Sequence, residues 1–519
     1  MTPAPTTAKR NKRLTSALRQ LKKALVDKSG VLMSQDLKEE DRLVLLDAGF
    51  LRPVMKGWYV CSNPTEAVGD STSWYANFWA FAAGYLRRRF GSQYCLSPEA
   101  SVLLHTGYTI VPRQLVVVVQ DNVTDVVHLP FDTSLMIYPD PKRLPRSRAD
   151  EASSILKGLR VWSVAHALCR CGPQFFKVNR REAEIALAMV RDVSQLIVAL
   201  TELNNRSAAA RIAGALEFVG RESESQILLK SLSEPGHKLY PNNPFDTQTP
   251  ALLGSRERSP YVLRLRAMWH DWREDVIAGF PAAPGLSSQT EAFLKQVDDR
   301  YLADAYNSLS IEGYEVTDEL IERVANGTWN PHDNEQHKRD RDALAARGYF
   351  QAFGAVKQTL TQILQGGDVS DAVRFGHQLW YAELFGPAVS AGILKPHQIA
   401  GYRSGPAFIR NSMHTPLPRD AILDCLDELW RLIGQEPEAS VRAVLGHHLF
   451  VFIHPYFDGN GRIGRFLMNA LLASGGYPWT VVRVTRRKTY MQALESASVQ
   501  GDIGPLVAFL RQEMLAHDL

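Results

Sequence analysis

The chain has little cysteine, no long apolar run and no large excess of charge of either sign. Five cysteines among 519 residues are too few and too scattered for a disulfide framework, and none forms a C-x-x-C pair typical of structural zinc: Cys61, Cys95, Cys169, Cys171 and Cys425. Apolar stretches such as 115–119 and 449–453 fall far short of the ~20 residues that a membrane-spanning helix needs. The sequence therefore predicts no disulfides, no structural zinc and no membrane span.

The charge balance and composition exclude further classes. Fifty-nine Lys+Arg against 55 Asp+Glu leave a net charge of +4, which excludes a histone-like polyelectrolyte. Aromatic residues make up 9% of the chain, too many for wholesale disorder. The polar, basic start MTPAPTTAKRNKR has no apolar segment behind it, so we expect no signal peptide and a soluble cytoplasmic protein. At about 150 residues per domain, the length predicts three domains.

Residues 1–70 have the element order of a winged helix. A basic helix over 9–28 carries leucines at helical spacing, at Leu14, Leu18, Leu21 and Leu25. We expect two short helical segments after it, ending at Gly49, and two strands hinged at Lys56 and Gly57. The pattern allows DNA binding or a small interaction domain. The candidate recognition helix, around 37–48, has more acidic than basic residues and would repel phosphates, which counts against DNA.

The next block, residues 71–235, predicts a mixed α/β domain. An aromatic helix over 74–90 precedes short strands such as LVVVVQ, and helices follow to about residue 232. With its YCLSPEASVLLHTG segment, the region of about 13–232 resembles the antitoxin component of AbiE-type phage-defence systems. Residues 236–288, rich in Pro, Asn and Gly at both ends, predict a linker with a connecting helix. The rest, 289–519, is predicted to be helical.

One short segment concentrates residues suited to chemistry: His454-Pro-Tyr-Phe-Asp458-Gly459-Asn460-Gly461-Arg462-Ile-Gly464-Arg465. Apolar residues after it recur at helical spacing, so the glycines and the asparagine lie at a helix start. Such a start presents unpaired N–H groups to an anion. The two arginines can grip phosphate oxygens, the aspartate can hold Mg²⁺, and the histidine can take a proton.

Each of these residues also has a plain structural interpretation. A histidine before proline is usually structural, an aspartate before glycine is usually a turn residue, and helical arginines are usually solvated. A sharper alternative is that Gly459 to Gly464 fits the dinucleotide fingerprint G-x-G-x-x-G after a strand-like LFVFI. Against it, VRAVLGHHLFVFI is more easily interpreted as a buried helix, and no acid follows about 20 residues on.

The segment from His454 to Arg465 resembles the signature of the Fic family, HxFx(D/E)GNGRxxR, with Tyr456 in place of the usual Phe. Similarity extends over roughly residues 290–515. The resemblance implies transfer of AMP from ATP to a protein hydroxyl. It implies that His454 is the base, that Asp458 binds Mg²⁺, and that Gly459, Asn460 and Gly461 form the anion hole. Arg462 and Arg465 would hold the β- and γ-phosphates.

Two further segments fit this resemblance. The run GYRSGPAFIR resembles the family's flap, a hairpin that docks the target's backbone as an added strand, and we place it at 403–414. Ser308-Leu-Ser-Ile-Glu312-Gly313 matches the family's inhibitory pattern (S/T)xxxE(G/N), in which the glutamate pairs with the second signature arginine, here Arg465. Ser308 and Glu312 lie on one helical face, and Gly313 suits the residue after the helix end.

The sequence therefore predicts a multidomain, mainly α protein. It combines a winged helix and a mixed α/β domain with an all-α Fic fold that carries a small β-hairpin flap. The predicted function is an autoinhibited protein adenylyltransferase that uses ATP and Mg²⁺. The alternatives are a winged-helix transcriptional regulator with an inactive or regulatory Fic domain, and a phosphotransferase or another nucleotidyltransferase. A target protein is the expected partner, with DNA and a second copy of the chain left open.

Overall fold

The computed structural model is mainly helical and divides into two compact units. Unit 1 comprises Met1–Arg264 and Phe408–Thr415, and unit 2 comprises Leu265–Ala407 and Pro416–Leu519. The structure describes residues 7–25, 30–64, 66, 69–141, 144–145, 153–233, 238–247, 249–252, 254, 257, 259–286, 289–326 and 341–516. Across these residues, no helix is both long and apolar enough to cross a membrane.

Unit 1 mixes helices with three small sheets. Its elements are α1 (Thr7–Ala24), β1 (Val31–Met33), α2 (Glu39–Asp47), β2 (Leu51–Met55), β3 (Trp58–Cys61), α3 (Thr72–Phe90), β4 (Tyr94–Leu96), α4 (Pro98–His105), β5 (Gln114–Val119), β6 (Asp125–Leu129), β7 (Thr133–Pro139), β8 (Ser153–Leu156), β9 (Leu159–Trp162), α5 (Val164–Arg170), α6 (Pro173–Val178), α7 (Arg180–Met189), α8 (Val193–Leu203), α9 (Arg206–Phe218) and α10 (Glu222–Leu232).

The N-terminal part of unit 1 differs from the sequence prediction in one element. The leucine stripe of α1 packs with residues of α2 and β2 in a small apolar cluster, as the helical spacing predicts. The first of the two expected short helical segments, however, is strand β1 followed by a 3₁₀ turn at Ser34–Asp36. β1 pairs antiparallel with β3, and this ladder decides the conformation of an apolar tripeptide too short for a stable helix. Whether 1–70 is a winged helix stays a prediction, as do the bounds of the three predicted domains and of the linker at 236–288.

The middle of unit 1 contains a four-stranded sheet in the order β4-β5-β7-β6. β5 pairs parallel with β7, and the other pairs are antiparallel. One face of α3 supplies buried aromatic rings to the core beneath this sheet. A second core lies among the short helices α5 to α10.

Unit 1 also holds the tip of the segment predicted to be a flap. The backbone N–H of Val111 donates to the carbonyl of Met413, and that of Thr415 donates to the carbonyl of Thr109, at 3.1 and 2.9 Å. His414 forms an isolated antiparallel bridge with Ile110. Residues 403–414 have no ladder between two arms of their own. One arm of the segment is instead paired with residues 109–111.

Unit 2 consists of helices joined by loops, with no strand among its described residues. After α11 (Pro260–Gly279), which contains the boundary, come α12 (Thr290–Ile311), α13 (Asp318–Ala325), α14 (Arg341–Leu364), α15 (Val369–Ser390), α16 (Pro396–Ile399), α17 (Ile422–Gln435), α18 (Ala439–Ile453), α19 (Asn460–Ala473), α20 (Arg487–Glu495) and α21 (Gly504–Leu515). α18 and α19 are buried along almost their whole length. This apolar hairpin fixes the position of the loop that joins them, residues 454–459.

Candidate active site

His454 lies at the C-terminal end of α18 and has a left-handed backbone, with φ 54° and ψ 60°. Its N–H donates to the carbonyl of Phe450 at 3.0 Å, and its own carbonyl accepts from Nε of the buried Arg403 at 2.7 Å. Left-handed backbone is uncommon outside glycine and is retained where surrounding contacts enforce it. The backbone of His454 is thus held from both sides where α18 ends.

The loop after His454 is closed by the side chain of Asn460. Its Oδ1 accepts from the N–H of Tyr456 at 2.9 Å, and its Nδ2 donates to the carbonyl of the same residue at 2.8 Å. The ring of Tyr456 stacks on Tyr381 with centroids 3.7 Å apart. The asparagine side chain therefore stabilises the loop. The backbone of the loop and of the following helix remains available to bind a ligand.

Helix α19 begins directly after Gly459, which has φ 82°, a conformation that glycine adopts without strain. The dinucleotide alternative fails here because the segment before the loop is helix α18 rather than a strand. The first-turn N–H groups of α19 have no partner within the helix. The glycines, Asn460 and both arginines thus lie together at one helix N-terminus, as predicted.

The first arginine of this helix, Arg462, is almost fully buried between two aromatic rings. Its guanidinium carbon lies 5.1 Å from the ring centre of Tyr314 and 5.2 Å from that of Phe385. Its Nη2 donates to Oδ1 of Asp458 at 3.2 Å. Such a cation between two rings gains from both faces and has little freedom to turn away.

The second arginine, Arg465, contacts the end of α12. Its Nε donates to Oγ of Ser308 at 2.9 Å, and its Nη2 donates to the carbonyl of Ser308 at 3.1 Å and to Oε1 of Glu312 at 2.8 Å. Burial lowers the pKa of Arg465, but the charge and hydrogen bond of Glu312, together with Tyr490 and Tyr349, outweigh burial and raise that pKa above its ordinary value. The guanidinium therefore stays charged and bound to Glu312.

Glu312 also covers the start of α19. A Cβ added to Gly461 would lie 2.3 Å from Oε1 of Glu312, so the carboxylate lies against the α-carbon of that glycine. Helix α12 ends at Ile311, and Gly313 follows Glu312 with φ 85°, which matches the predicted helix end. One carboxylate thus bonds the second arginine and occupies space beside the helix N-terminus.

The imidazole of His454 is neutral at ordinary pH. Burial lowers its pKa to about 4, and the charge of Arg403 acts in the same direction, against the negative charges of Glu312 and Asp458. A neutral imidazole has a lone pair that can accept a proton. The residue is therefore in the protonation state that a general base needs.

Asp458 offers one carboxylate to a cation. Its Oδ1 accepts from the N–H of Gly459 at 2.6 Å and from Arg462, and its side chain is 63% exposed. No cluster of three metal-ligating side chains occurs within the described ranges. Mg²⁺ is commonly held by one or two carboxylates together with phosphates of the substrate, and Asp458 fits that arrangement.

The sequence analysis missed several residues that hold this site. Arg403 is buried and donates to the backbone carbonyls of His454, Gly405 and Leu417. Asp304, buried on α12, accepts a hydrogen bond of 2.6 Å from the hydroxyl of Tyr349. Arg403 lay within the quoted GYRSGPAFIR run, but a lone arginine in a loop gives no sign that it will be buried.

Unit 2 brings together a helix N-terminus, two buried arginines and a neutral histidine. This arrangement defines a site for an anionic phosphate ligand. Comparison with known proteins agrees with that class. Residues 377–472 match the Fic/DOC family. This stretch contains His454, the loop and most of α19.

Two relatives found by sequence carry the same name. The chain is 27% identical over 274 residues to "Protein adenylyltransferase Fic" of Nematostella vectensis, covering 52% of this chain and 58% of that protein. It is 39% identical over 116 residues to the protein of the same name in Drosophila virilis, covering 20% of this chain and 23% of the fly protein. The chain thus spans little more than half the length of the first relative and about a quarter of the second.

Solved structures with some similarity include "Fic-1 (aa134 - 508) from C. elegans", at 16% identity and a TM-score of 0.36, covering 65% of this chain and 95% of that one. A Fic domain containing signaling protein from Bacteroides thetaiotaomicron is 17% identical with a TM-score of 0.33, covering 49% and 93%.

Proposed function

We propose that this protein is an adenylyltransferase that moves AMP from ATP to the hydroxyl of a Tyr, Ser or Thr side chain in a target protein. We further propose that Glu312 represses this activity by pairing with Arg465. The relatives named protein adenylyltransferase Fic support the reaction. The geometry around Glu312 supports the repression.

One observation carries the proposal: the carboxylate of Glu312 bonds Arg465 at 2.8 Å and lies against Gly461 at the start of α19. A phosphate that approached the N–H groups of this helix would need the same space and the same guanidinium. A carboxylate and a phosphate are both anions, so they compete for one cationic site. Only after Glu312 leaves can Arg465 hold the terminal phosphate of ATP.

Each signature residue has a distinct task in the proposed reaction. The neutral imidazole of His454 takes the proton of the target hydroxyl as its oxygen bonds to the α-phosphorus. The bond from that phosphorus to the oxygen bridging to the β-phosphorus breaks, and pyrophosphate leaves. Arg462 and Arg465 hold the β- and γ-phosphates, and the backbone at Gly459 to Gly461 holds anionic oxygens.

Mg²⁺ held by Asp458 would neutralise charge on the phosphates and the leaving pyrophosphate. Residues 403–414 would dock the target backbone as an added strand, because strand addition binds any sequence through main-chain hydrogen bonds. Target choice would then depend on side chains around this segment.

The test uses the full chain, Mg²⁺ and ATP labelled at the α- or the γ-phosphate. We expect α-label on protein, in the chain itself or in a cell lysate, at a low level for the wild type. The level should rise about 10- to 100-fold in Glu312→Gly, because a charge-assisted hydrogen bond of about 1.5–3 kcal/mol is lost. Label should be absent in Glu312→Gly combined with His454→Ala.

Matched controls are available nearby. Glu315→Gly removes an exposed carboxylate three residues from Glu312, and His397→Ala removes an exposed imidazole; neither should change the label. Transfer of γ-label would instead identify a phosphotransferase. No label in any variant, with lysate present, would contradict the proposal and favour a regulator, which a salt-dependent shift of promoter DNA would support.

A further inference from the structure

The loop 454–459 turns two of its side chains to solvent, those of Phe457 and Asp458. The proposed cation accounts for the exposed carboxylate. The phenylalanine is 54% exposed, whereas the ring of Tyr456 beside it is buried. A single exposed apolar side chain is ordinary on a protein surface, so the surroundings of Phe457 decide whether its ring has a task.

The ring of Phe457 lies against the start of the segment 403–414. A Cβ added to Gly405 would lie 3.7 Å from both Cε1 and Cζ of the ring, which is van der Waals contact. The carbonyl of Gly405 accepts from Nη1 of Arg403 at 2.9 Å, and Arg403 also donates to the carbonyl of His454. The ring is therefore beside the place that a side chain of residue 405 would take, next to backbone that is tied to the proposed base.

The backbone around Gly405 is open to an added strand. Within the part of the chain that the structure describes, the N–H groups of Ser404, Gly405 and Ala407 have no acceptor. Exposed and half-buried residues alternate along 404–407, as they do along a strand. A target strand can pair with these residues without displacing an existing hydrogen bond.

A strand paired with 404–407 would bring one of its side chains to the ring of Phe457. Side chains opposite each other on neighbouring strands lie about 5 Å apart, and Gly405 leaves that place to the ring. Phe457 follows His454 by three residues, so their α-carbons are at most about 11 Å apart. An extended target covers that distance in about three residues. The side chain on the ring therefore belongs to a residue close to the modified one.

We infer that Phe457 is a specificity-determining residue: it selects target segments that carry a large apolar side chain within about three positions of the modified Tyr, Ser or Thr. This inference rests on the proposed function and extends it to the class of target. An aromatic or aliphatic side chain gains by leaving water against the ring. A charged side chain would lose hydration there without gaining a partner.

The test measures α-label transfer by the full chain to proteins of a cell lysate, in the Glu312→Gly background and at varied ATP concentration. Phe457→Ala should lower the transfer about 5- to 10-fold, because a target side chain no longer covers the exposed half of the ring. The ATP concentration that gives half the maximal rate should not change. Phe457→Leu keeps most of the apolar surface and should retain most of the transfer. Phe375→Ala, which removes a ring that is 68% exposed on α15, is the matched control and should leave transfer unchanged.

Mass spectrometry of the labelled lysate proteins identifies the selected side chain. In the Glu312→Gly variant, labelled sites should carry a large apolar residue near the modified one more often than the unlabelled hydroxyl residues of the same proteins do. This enrichment should disappear with Phe457→Ala and persist with Phe375→Ala. Thermal unfolding of each variant provides an independent measure of folding.

Several results would overturn the inference. Equal transfer to the same sites with Phe457→Ala would show that the ring does not select the target. A higher half-maximal ATP concentration with an unchanged maximal rate would mean that the ring serves the nucleotide. An equal loss at every site with a lower melting temperature would mean that it only supports the loop. No α-label from Glu312→Gly with Phe457 intact would instead refute the proposed function, and this inference with it.

Discussion

Asp304 predicts an unusual response of stability to pH. Burial is the main cause that raises the pKa of its carboxyl from 3.8 to about 6, against the hydrogen bond from Tyr349 and the charge of Arg465. Because the folded protein binds this proton more tightly than the unfolded chain does, stability falls as pH rises from about 4 to about 6, and the penalty is constant above that. At about 1.4 kcal/mol per pKa unit, the penalty is about 3 kcal/mol.

The substitution Asp304→Asn removes this penalty, since the amide does not titrate. The new amide group adds two N–H donors in a buried position, which offsets about 1 kcal/mol. A gain of about 2 kcal/mol remains at pH 8, which corresponds to about 4–8 °C in melting temperature for a unit of about 150–250 residues. The gain should shrink steadily below pH 6, reach zero at about pH 4.5 and become a small loss at pH 4.

Differential scanning calorimetry of both proteins between about pH 4 and pH 8 measures this difference. Asp299→Asn, an exposed carboxylate on the same helix, is the control and should differ little from the wild type at any pH. A lower melting temperature for Asp304→Asn at pH 8 would refute the reasoning. So would a difference between the two proteins that is the same at pH 8 and pH 4.

Three other variants or conditions test the site. In the derepressed glutamate-to-glycine variant, the rate should be flat from pH 5 to 8 and fall to half only at pH 4 or below, because His454 is neutral above its lowered pKa and the charge of Glu312, which raises that pKa, is gone; a profile centred near 6.5 would contradict this. Asn460→Ala should lower transfer at least about tenfold, because the backbone N–H and carbonyl of Tyr456 both lose their hydrogen-bonding partner. An unchanged rate would show that the loop keeps its conformation without these bonds. Arg403→Met leaves three carbonyls without their donor. It should lower the free energy of unfolding, measured by chemical denaturation, by about 3 kcal/mol. A denaturation midpoint equal to that of the wild type would contradict the assigned bonds.

The parts of the site that the sequence predicted are those set by local chain geometry. The apolar spacing after Arg462 defines a helix, and Gly459 before it marks the start, so the anion-binding end of α19 follows from a dozen residues. The pairing of Glu312 with Arg465 spans 153 positions. It was predicted only because the two motifs resemble those of a known family.

The parts that the sequence did not predict depend on distant partners. Asp304 and Tyr349 are 45 positions apart, and neither has a pattern that sets it apart from other residues of its helix. Strand β1 was predicted as helix because an apolar tripeptide has no period of its own. Its conformation is decided by β3, about 27 positions further on.

The assignment of Phe408–Thr415 to unit 1 limits how this protein can be dissected. A shortened chain that began after residue 264 would keep the signature loop but lose Thr109 and Val111, the hydrogen-bonding partners of 413–415. Exchanging the N-terminal half for an unrelated domain would have the same effect. A division of the gene at residue 264 therefore breaks these backbone bonds, and a change in residues 109–111 alters the surroundings of 413–415 without touching a signature residue.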